Sequence, residues 1–101
     1  MSLVFEWDSA KARSNQRKHS VSFAEAASVF GDPMARIFPD EEHSAEESRE
    51  IIVGHSTIGH SAARRLLLVS FTEPAPGRIR IISGRRATRT EQHDYEENAT
   101  S

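Results

Sequence analysis

The sequence predicts a single α+β domain in which two N-terminal helices precede a mostly antiparallel β-sheet and a C-terminal helix closes the fold. Three observations support this. Two helix-start patterns occupy the first quarter of the chain, three runs rich in branched aliphatic residues follow, and a further helix-start pattern comes after the last run. A chain of 101 residues has room for one core, so we expect one domain over residues 1–101, ordered over about 3–97.

The N-terminal helices are predicted from their capping residues. A short strand over residues 3–7 leads to Asp8, whose carboxylate can accept from the free amides of a first helical turn. We therefore expect a helix that runs to about residue 18. Ser22 and Glu25 have the spacing of a capping box, which starts the second helix.

The sheet is predicted from the runs that follow the turn residues Gly31-Asp32-Pro33. A short strand over 35–38 and an acidic loop over 39–46 come first. The main strand candidates are residues 49–57, 65–72 and 78–84. Their connections contain Gly or Pro, which favours antiparallel hairpins.

The last strand and the last helix bring charged residues together. By the two-residue period, one strand face carries Arg78, Arg80 and Ile82, and the other carries Ile79, Ile81 and Ser83. Thr88 and Glu91 repeat the capping-box spacing and start a helix to about residue 97. Glu91 and Tyr95 are four residues apart and share a helix face, which we expect to look back toward the strand end.

Composition narrows the class of function. The net charge of −2 argues against a protein that coats nucleic acid through many cations. The absence of cysteine excludes disulfides and thiolate chemistry. We find no signal peptide or membrane span, and expect a cytoplasmic protein. Charge is nevertheless segregated: the basic blocks are 11–19 and 78–89, and the acidic block is 40–50.

Metal and serine-hydrolase chemistry are not indicated. The five histidines are scattered singly without close spacing, so we predict no metal site and no cofactor. No serine lies in a nucleophile-elbow context. Among the histidines, His19 follows Lys18 at the end of a cationic helix and can titrate near neutrality. A purely structural interaction of His19 with the helix carbonyls is the alternative.

Several residues are suited to phosphate. Arg85 and Arg86 lie between the last strand and the last helix, where a guanidinium can bind two phosphate oxygens; pairing with Glu91 is the alternative. Glu47 and Arg49 would share a strand face, either as a structural ion pair or as a pair that lines a cleft. Tyr95 can pack, move a proton or stack on a base.

These residue types fit metal-independent RNA cleavage. In that reaction the 2′-hydroxyl attacks the adjacent phosphate, so the protein must supply cations and two groups that move protons. DNA lacks this hydroxyl. The predicted catalytic residues are Arg49, Arg85, Tyr95, His19 and Glu47, and the predicted RNA-binding residues are Lys18, Arg80 and Arg86.

An ordered set of residues from Val4 to about Tyr95 carries a family resemblance. It comprises Phe5-Glu6-Trp7-Asp8, Lys11, Asn15, Lys18-His19, Val21, Phe23, Ala26, Phe30, Asp32-Pro33, His43-Ser44, Glu47-x-Arg49, Gly54, Leu66 to Val69, Ile79-Arg80-Ile81-Ile82-Ser83-x-Arg85-x-Ala87-Thr88, Glu91 and Tyr95. This set resembles the BrnT family, the ribonuclease toxins of type II toxin–antitoxin pairs.

The resemblance implies a RelE-like fold and RNA cleavage that arrests translation. It also implies a hetero-oligomer with a BrnA-type antitoxin, whose ribbon-helix-helix region binds operator DNA and so represses the operon. Two residues depart from the family pattern. Ser20 replaces a glycine, so a left-handed cap there would cost on the order of 1 kcal/mol. Gly84 replaces an alanine, which we expect to loosen the strand before Arg85.

Two other classes of protein remain alternatives. One is a non-catalytic module that binds RNA or an acidic protein segment through the same basic surface. The other is a structural interaction domain, which would place the two basic blocks on opposite sides of the fold.

Overall fold

A computed structural model describes residues 3–43, 48–58 and 65–100. The helices are α1 (Ser9–His19), α2 (Phe23–Ser28) and α3 (Arg89–Thr100), with short 3-10 turns at Val29–Gly31 and Glu41–His43. The strands are β1 (Val4–Glu6), β2 (Arg36–Pro39), β3 (Glu50–His55), β4 (Leu66–Ala75) and β5 (Arg78–Arg86). Within these described residues, no helix is long and apolar enough to cross a membrane.

The strands form one sheet in the order β1-β5-β4-β3-β2. β1 runs parallel to β5, and the other three pairings are antiparallel. Two helices before a mostly antiparallel sheet and one helix after it are the predicted α+β architecture, which is confirmed.

All three helices begin where local capping chemistry predicts. The Asp8 carboxylate accepts from a first-turn amide of α1 at 2.9 Å, and the Ser22 hydroxyl accepts from the Glu25 amide at 3.1 Å. At α3 the capping box is reciprocal. The Thr88 hydroxyl accepts from the Glu91 amide at 3.2 Å, while the Glu91 carboxylate accepts from the Thr88 amide at 2.8 Å. These contacts satisfy helix amides that have no partner within the helix.

The two faces of the sheet are covered by different helices. The face covered by α1 and α2, here called the α1/α2 face, holds the main core: Val21, Phe23, Ala26, Val29, Ile52, Leu67, Val69, Phe71, Ile79 and Ile81. The opposite face, the α3 face, carries a smaller cluster of Val53, Leu66 and Tyr95. Neighbouring residues Leu66 and Leu67 belong to different clusters because successive side chains in a strand point to opposite faces.

A buried amide joins α1 to β5. The Asn15 side chain donates to the Gly84 carbonyl at 2.8 Å and to the Val21 carbonyl at 3.0 Å, and it accepts from the Gly84 amide at 3.1 Å. Both backbone polar groups of Gly84 are therefore fixed. A Cβ at Gly84 would approach Ala26 Cβ to 3.2 Å. The expectation that this glycine loosens the strand before Arg85 is wrong, because the backbone is held there on both sides.

A β-bulge in β5 reverses the expected alternation. Opposite β4, Phe71 pairs with Ile81 and Ser70 pairs with Ser83, so Ile82 is an extra residue. The predicted strict alternation puts Ser83 on the same face as Ile81. In the structure Ser83 pairs with Ser70 and Ile81 pairs with Phe71, so the two residues lie on opposite faces and this part of the prediction is wrong. Beyond the bulge, Arg85 lies opposite Leu68 and so shares the α3 face.

Helix α1 ends in a left-handed cap at Ser20, with φ 57° and ψ 33°. The Ser20 amide donates to the Gln16 carbonyl at 2.9 Å, and its own carbonyl accepts from Arg65 Nη2 at 2.9 Å. Only glycine adopts this backbone conformation without a steric penalty. The predicted strained cap is therefore present in the structure.

We expect Ser20→Gly to stabilise the protein by about 1 kcal/mol, because it removes the penalty for a Cβ in the left-handed region. For a domain of this size the melting temperature should rise by about 4–8 °C. Ser14→Gly is the matched control, since Ser14 lies inside α1 and glycine there should lower the melting temperature. A lower melting temperature for Ser20→Gly would contradict the assignment of strain.

Candidate active site

The α3 face carries a fixed guanidinium at the junction of β5 and α3. Arg85 Nη1 and Nη2 donate to the two carboxylate oxygens of Glu91 at 2.8 and 2.9 Å, and Nη1 also reaches the Arg86 carbonyl at 3.3 Å. These contacts use three of the five donors of the guanidinium. Among the residues that the structure describes, its other two donors have no hydrogen-bond partner, and the side chain is 41% exposed. Arg85 can thus bind an anion without leaving Glu91.

The Arg85–Glu91 pair is held in its charged form. The hydrogen bond to Glu91 raises the pKa of Arg85. The hydrogen bonds from Arg85 lower the pKa of Glu91 to about 2, assisted by the Thr88 amide and opposed by partial burial. The structure therefore contains the alternative predicted from sequence, in which Arg85 pairs with Glu91. This pairing also orients the guanidinium.

A second polar cluster lies at the end of β3, where Asp32, His55 and Tyr95 meet. The Asp32 carboxylate accepts from the His55 amide at 2.7 Å, the Tyr95 hydroxyl at 3.1 Å and the Met34 amide at 2.9 Å. His55 Nδ1 lies 3.6 Å from Asp32 Oδ2. The rings of His55 and Tyr95 pack edge to face, with centroids 5.4 Å apart. One carboxylate therefore orients a phenol and faces an imidazole.

Burial and hydrogen bonding together set the ionisation of Asp32 and Tyr95. Burial opposes the charged form of Asp32, yet the amides of His55 and Met34 and the Tyr95 hydroxyl lower its pKa on balance. Burial, together with the hydrogen bond to Asp32 and its negative charge, raises the pKa of Tyr95, while Arg36 works in the opposite direction. Asp32 is thus anionic near neutrality, and Tyr95 retains its proton.

Some predicted residues share this face. Arg49 precedes β3, is half-buried, and accepts through its carbonyl from the Asp40 amide at 2.8 Å. The two-residue period places Arg49 on the side of Ile51, which is the α3 face. Arg80 also lies on the α3 face and contacts Glu6 at 2.8 Å. The predicted catalytic residue Glu47 lies outside the described residues.

Other predicted residues are not brought to this cluster. Lys18 and His19 belong to α1 and line an open groove of about 220 Å³ between α1 and β5, with Lys11 beside them. Arg86 is exposed and lies opposite Leu67, so it too is on the α1/α2 face. The predicted catalytic residue His19 therefore lies on the opposite sheet face from Arg85 and Tyr95.

Sequence reasoning missed Asp32 and His55 as site residues. From sequence, Asp32 is predicted only as a turn residue, and His55 is one of five singly placed histidines for which no metal role is predicted. Each meets Tyr95 through a contact that spans elements far apart in the chain. No local pattern marks either residue, because His55 lies within the strand predicted over 49–57 and its face also carries Val53 and Leu66.

No metal site is apparent in the described residues. Over 3–43, 48–58 and 65–100, no three side chains of His, Cys, Asp or Glu are close enough to hold an ion together. On the α3 face, Arg85 is paired with Glu91, and the Asp32 carboxylate lies beside the His55 ring.

The fold and the α3 face define a class of protein: a small α+β domain whose main core lies under α1 and α2, and whose opposite sheet face carries an arginine–glutamate pair and a cluster of Asp32, His55 and Tyr95. The chain belongs to the BrnT family. The family profile described as "Ribonuclease toxin, BrnT, of type II toxin-antitoxin system" matches residues 7–91. Toxin and ribonuclease are thus the functions of the family to which this chain is assigned.

A solved structure supports the fold assignment. The chain is similar to the 1.1 Å crystal structure of the Brucella abortus ribonuclease toxin, BrnT, with a TM-score of 0.59 and 23% identity. The match covers 88% of this chain and 99% of the Brucella chain. At this identity the likeness shows a shared fold. No curated protein matches the chain significantly in sequence.

The Arg85–Glu91 pair leads to a prediction for acid stability. Because folding lowers the pKa of Glu91 from 4.5 to about 2, its contribution is present above pH 4.5 and is lost as pH falls toward 2. The Glu91 side chain is 32% exposed, so solvent screens its interaction with Arg85. We therefore expect the ionised Glu91 to contribute about 1 kcal/mol to the free energy of unfolding. Glu91→Gln should lower the free energy of unfolding by this amount at pH 7.

Urea unfolding at several pH values measures this effect. The difference between wild type and Glu91→Gln should shrink between about pH 5 and pH 2. Glu97→Gln is the control, since Glu97 is 65% exposed at the far end of α3, where it faces His93. A difference for Glu91→Gln that stays constant over this pH range would contradict the role of the pair.

Proposed function

We propose that this member of the BrnT family is a metal-independent ribonuclease that uses the 2′-hydroxyl of RNA as the nucleophile. The observation that carries the proposal is the Arg85 guanidinium, which is oriented by Glu91 on the α3 face, is 41% exposed and has two donors without a hydrogen-bond partner among the described residues. A cation held in this way can stabilise the charge that develops on a phosphate during attack, without reorganising at that moment.

The remaining residues have distinct roles in this proposal. Arg49 and Arg80 add positive charge along the α3 face, and Tyr95 orders the polar groups at the end of β3. Glu47 is proposed as a further catalytic residue, as the Glu-x-Arg pattern suggests. Lys18, His19 and Arg86 lie on the α1/α2 face. In this proposal they bind parts of the RNA that are distant from the cleaved bond.

We further propose that the partner is a BrnA-type antitoxin in a hetero-oligomer. A chain that covers the α3 face would exclude RNA and gain electrostatic complementarity with its arginines. Contact with operator DNA would come only through the ribbon-helix-helix region of the antitoxin. RNA cleavage by the free toxin would arrest translation in the cytoplasm.

The placement of the basic blocks favours one alternative. Lys18 and His19 of the first basic block and Arg85 of the second lie on opposite faces of the sheet, as a structural interaction domain predicts, whereas Arg86 of the second block lies on the α1/α2 face. Membership in a ribonuclease family weighs against that alternative. It also weighs against the non-catalytic binding module.

Cleavage of total RNA by the purified chain, in buffer with EDTA, tests the proposed function. We expect cleavage to persist in EDTA, because charge stabilisation is assigned to arginines and not to an ion. Arg85→Ala, purified in the same way, controls for contaminating nuclease. Activity that disappears in EDTA and returns with Mg²⁺ would overturn the metal-independent mechanism, and no cleavage under any condition would favour a binding module.

A further inference from the structure

Tyr95 is poorly placed to take a proton from RNA. It is only 7% exposed, and its hydroxyl donates to Asp32. Burial and the neighbouring carboxylate raise its pKa, since a phenolate would place a second negative charge beside Asp32. The phenol is therefore suited to orient Asp32, and another group must move the proton.

His55 is the titratable side chain in this cluster that substrate can reach. Its side chain is 36% exposed, whereas that of Asp32 is 7% exposed. Nδ1 is the ring nitrogen near Asp32, so Nε2 is the nitrogen available to a substrate. Histidine is the side chain whose ordinary titration range lies closest to neutral pH, which suits a general base.

Two side chains flank the His55 ring. The Tyr95 ring packs against it edge to face, and the Asp32 carboxylate, which is itself anchored by the amides of His55 and Met34, lies 3.6 Å from Nδ1. Leu66 lies opposite His55 in the neighbouring strand. The imidazole therefore lies between a carboxylate and an aromatic ring on the α3 face, the same face as Arg85.

We propose that His55 is the general base of the RNA cleavage and that Asp32 is its positioning carboxylate, an inference that rests on the proposed function. His55 Nε2 takes the proton of the 2′-hydroxyl as the 2′-oxygen bonds to the adjacent phosphorus. The bond from phosphorus to the 5′-oxygen breaks, and the 5′-oxygen takes a proton from water. The products are a 2′,3′-cyclic phosphate and a 5′-hydroxyl, and His55 then returns its proton to solvent.

Cleavage kinetics of a short RNA with His55→Ala test this assignment. We expect the rate to fall by about 10²–10⁴-fold, the usual contribution of a general base. Free imidazole added to the buffer should restore part of the rate to His55→Ala and leave Arg85→Ala unchanged, because only the first variant lacks a base. His93→Ala is the matched control, since His93 is 69% exposed on α3 and pairs with Glu97.

Asp32→Asn tests the positioning role separately. We expect kcat to fall with little change in KM, because the variant misorients the base without touching RNA. Circular dichroism of each variant establishes that it is folded, and His55→Gln replaces His55→Ala if the smaller side chain prevents folding. With His55→Gln, a loss comparable to that of His55→Ala is expected.

The outcomes separate this inference from the proposed function. If wild type cleaves RNA and folded His55→Ala cleaves equally well, the assignment of His55 fails while the ribonuclease function stands. A folded His55→Ala that is inactive and not rescued by imidazole would assign His55 a structural role and overturn the inference. If wild type does not cleave RNA at all, both proposals fail.

Discussion

Arg85→Ala should reduce RNA cleavage by about 100-fold or more, the usual loss when one preorganised donor to a developing charge is removed. The guanidinium is fixed by two hydrogen bonds to Glu91, so its donors are oriented before substrate binds. The measurement is kcat/KM on a short RNA, with thermal unfolding recorded in parallel because the variant also loses an ion pair. Arg85→Lys should recover little activity, since an ammonium lacks the planar fork.

Arg86→Ala is the matched comparison for Arg85→Ala. The two arginines are neighbours in β5, but their registers place them on opposite faces of the sheet. We expect Arg86→Ala to cost much less, through weaker RNA binding and a higher KM. If both variants lose little cleavage activity and to the same extent, Arg85 has no catalytic role.

Asn15→Leu should lower the free energy of unfolding by about 2–4 kcal/mol. The substitution leaves three backbone groups without the Asn15 partner: the amide and carbonyl of Gly84 and the carbonyl of Val21. A buried polar group that loses its partner costs about 1–3 kcal/mol. Because Gly84 precedes Arg85, we also expect lower RNA cleavage from the protein that remains folded.

Urea unfolding of Asn15→Leu measures this loss, with Gln16→Ala as the control. Gln16 is the next residue of α1 and its side chain is exposed, so its removal should change stability by less than about 0.5 kcal/mol. A loss for Asn15→Leu no larger than that of Gln16→Ala would show that the amide does not hold α1 against β5.

The elements that depend on local chemistry could be predicted from sequence. Asp8, Ser22 and Thr88 start helices because a side chain satisfies amides within the next turn, and such contacts need no knowledge of the rest of the fold. The left-handed cap at Ser20 was expected for a different reason, because the BrnT family pattern has a glycine at this position.

The sheet face on which each residue of β5 lies could not be predicted from sequence, because it depends on how β5 pairs with β4. The extra residue at Ile82 exchanges the two faces of β5 beyond it, and nothing near Ile82 in sequence marks this. Without the bulge, strict alternation would put Arg85 and Arg80 on opposite faces. With it, the pattern places both on the α3 face.

The polar cluster at the end of β3 could not be predicted from the sequence either. Asp32, His55 and Tyr95 come from a turn, a strand and the last helix, and only the tertiary fold brings them together. The predicted grouping of His19 with Tyr95 was wrong for the converse reason. Both lie on helices with polar faces, but α1 and α3 cover opposite faces of the sheet.

The chemical ends of the RNA fragments produced in EDTA test the central claim most directly. Attack by the 2′-hydroxyl, with charge stabilised by Arg85, leaves a 2′,3′-cyclic phosphate on one fragment and a 5′-hydroxyl on the other, which mass spectrometry distinguishes. An RNA with a single 2′-deoxy residue at the cleaved position should remain intact at that position. Fragments that carry 3′-hydroxyl and 5′-phosphate ends, or cleavage at the deoxy residue, would contradict the account.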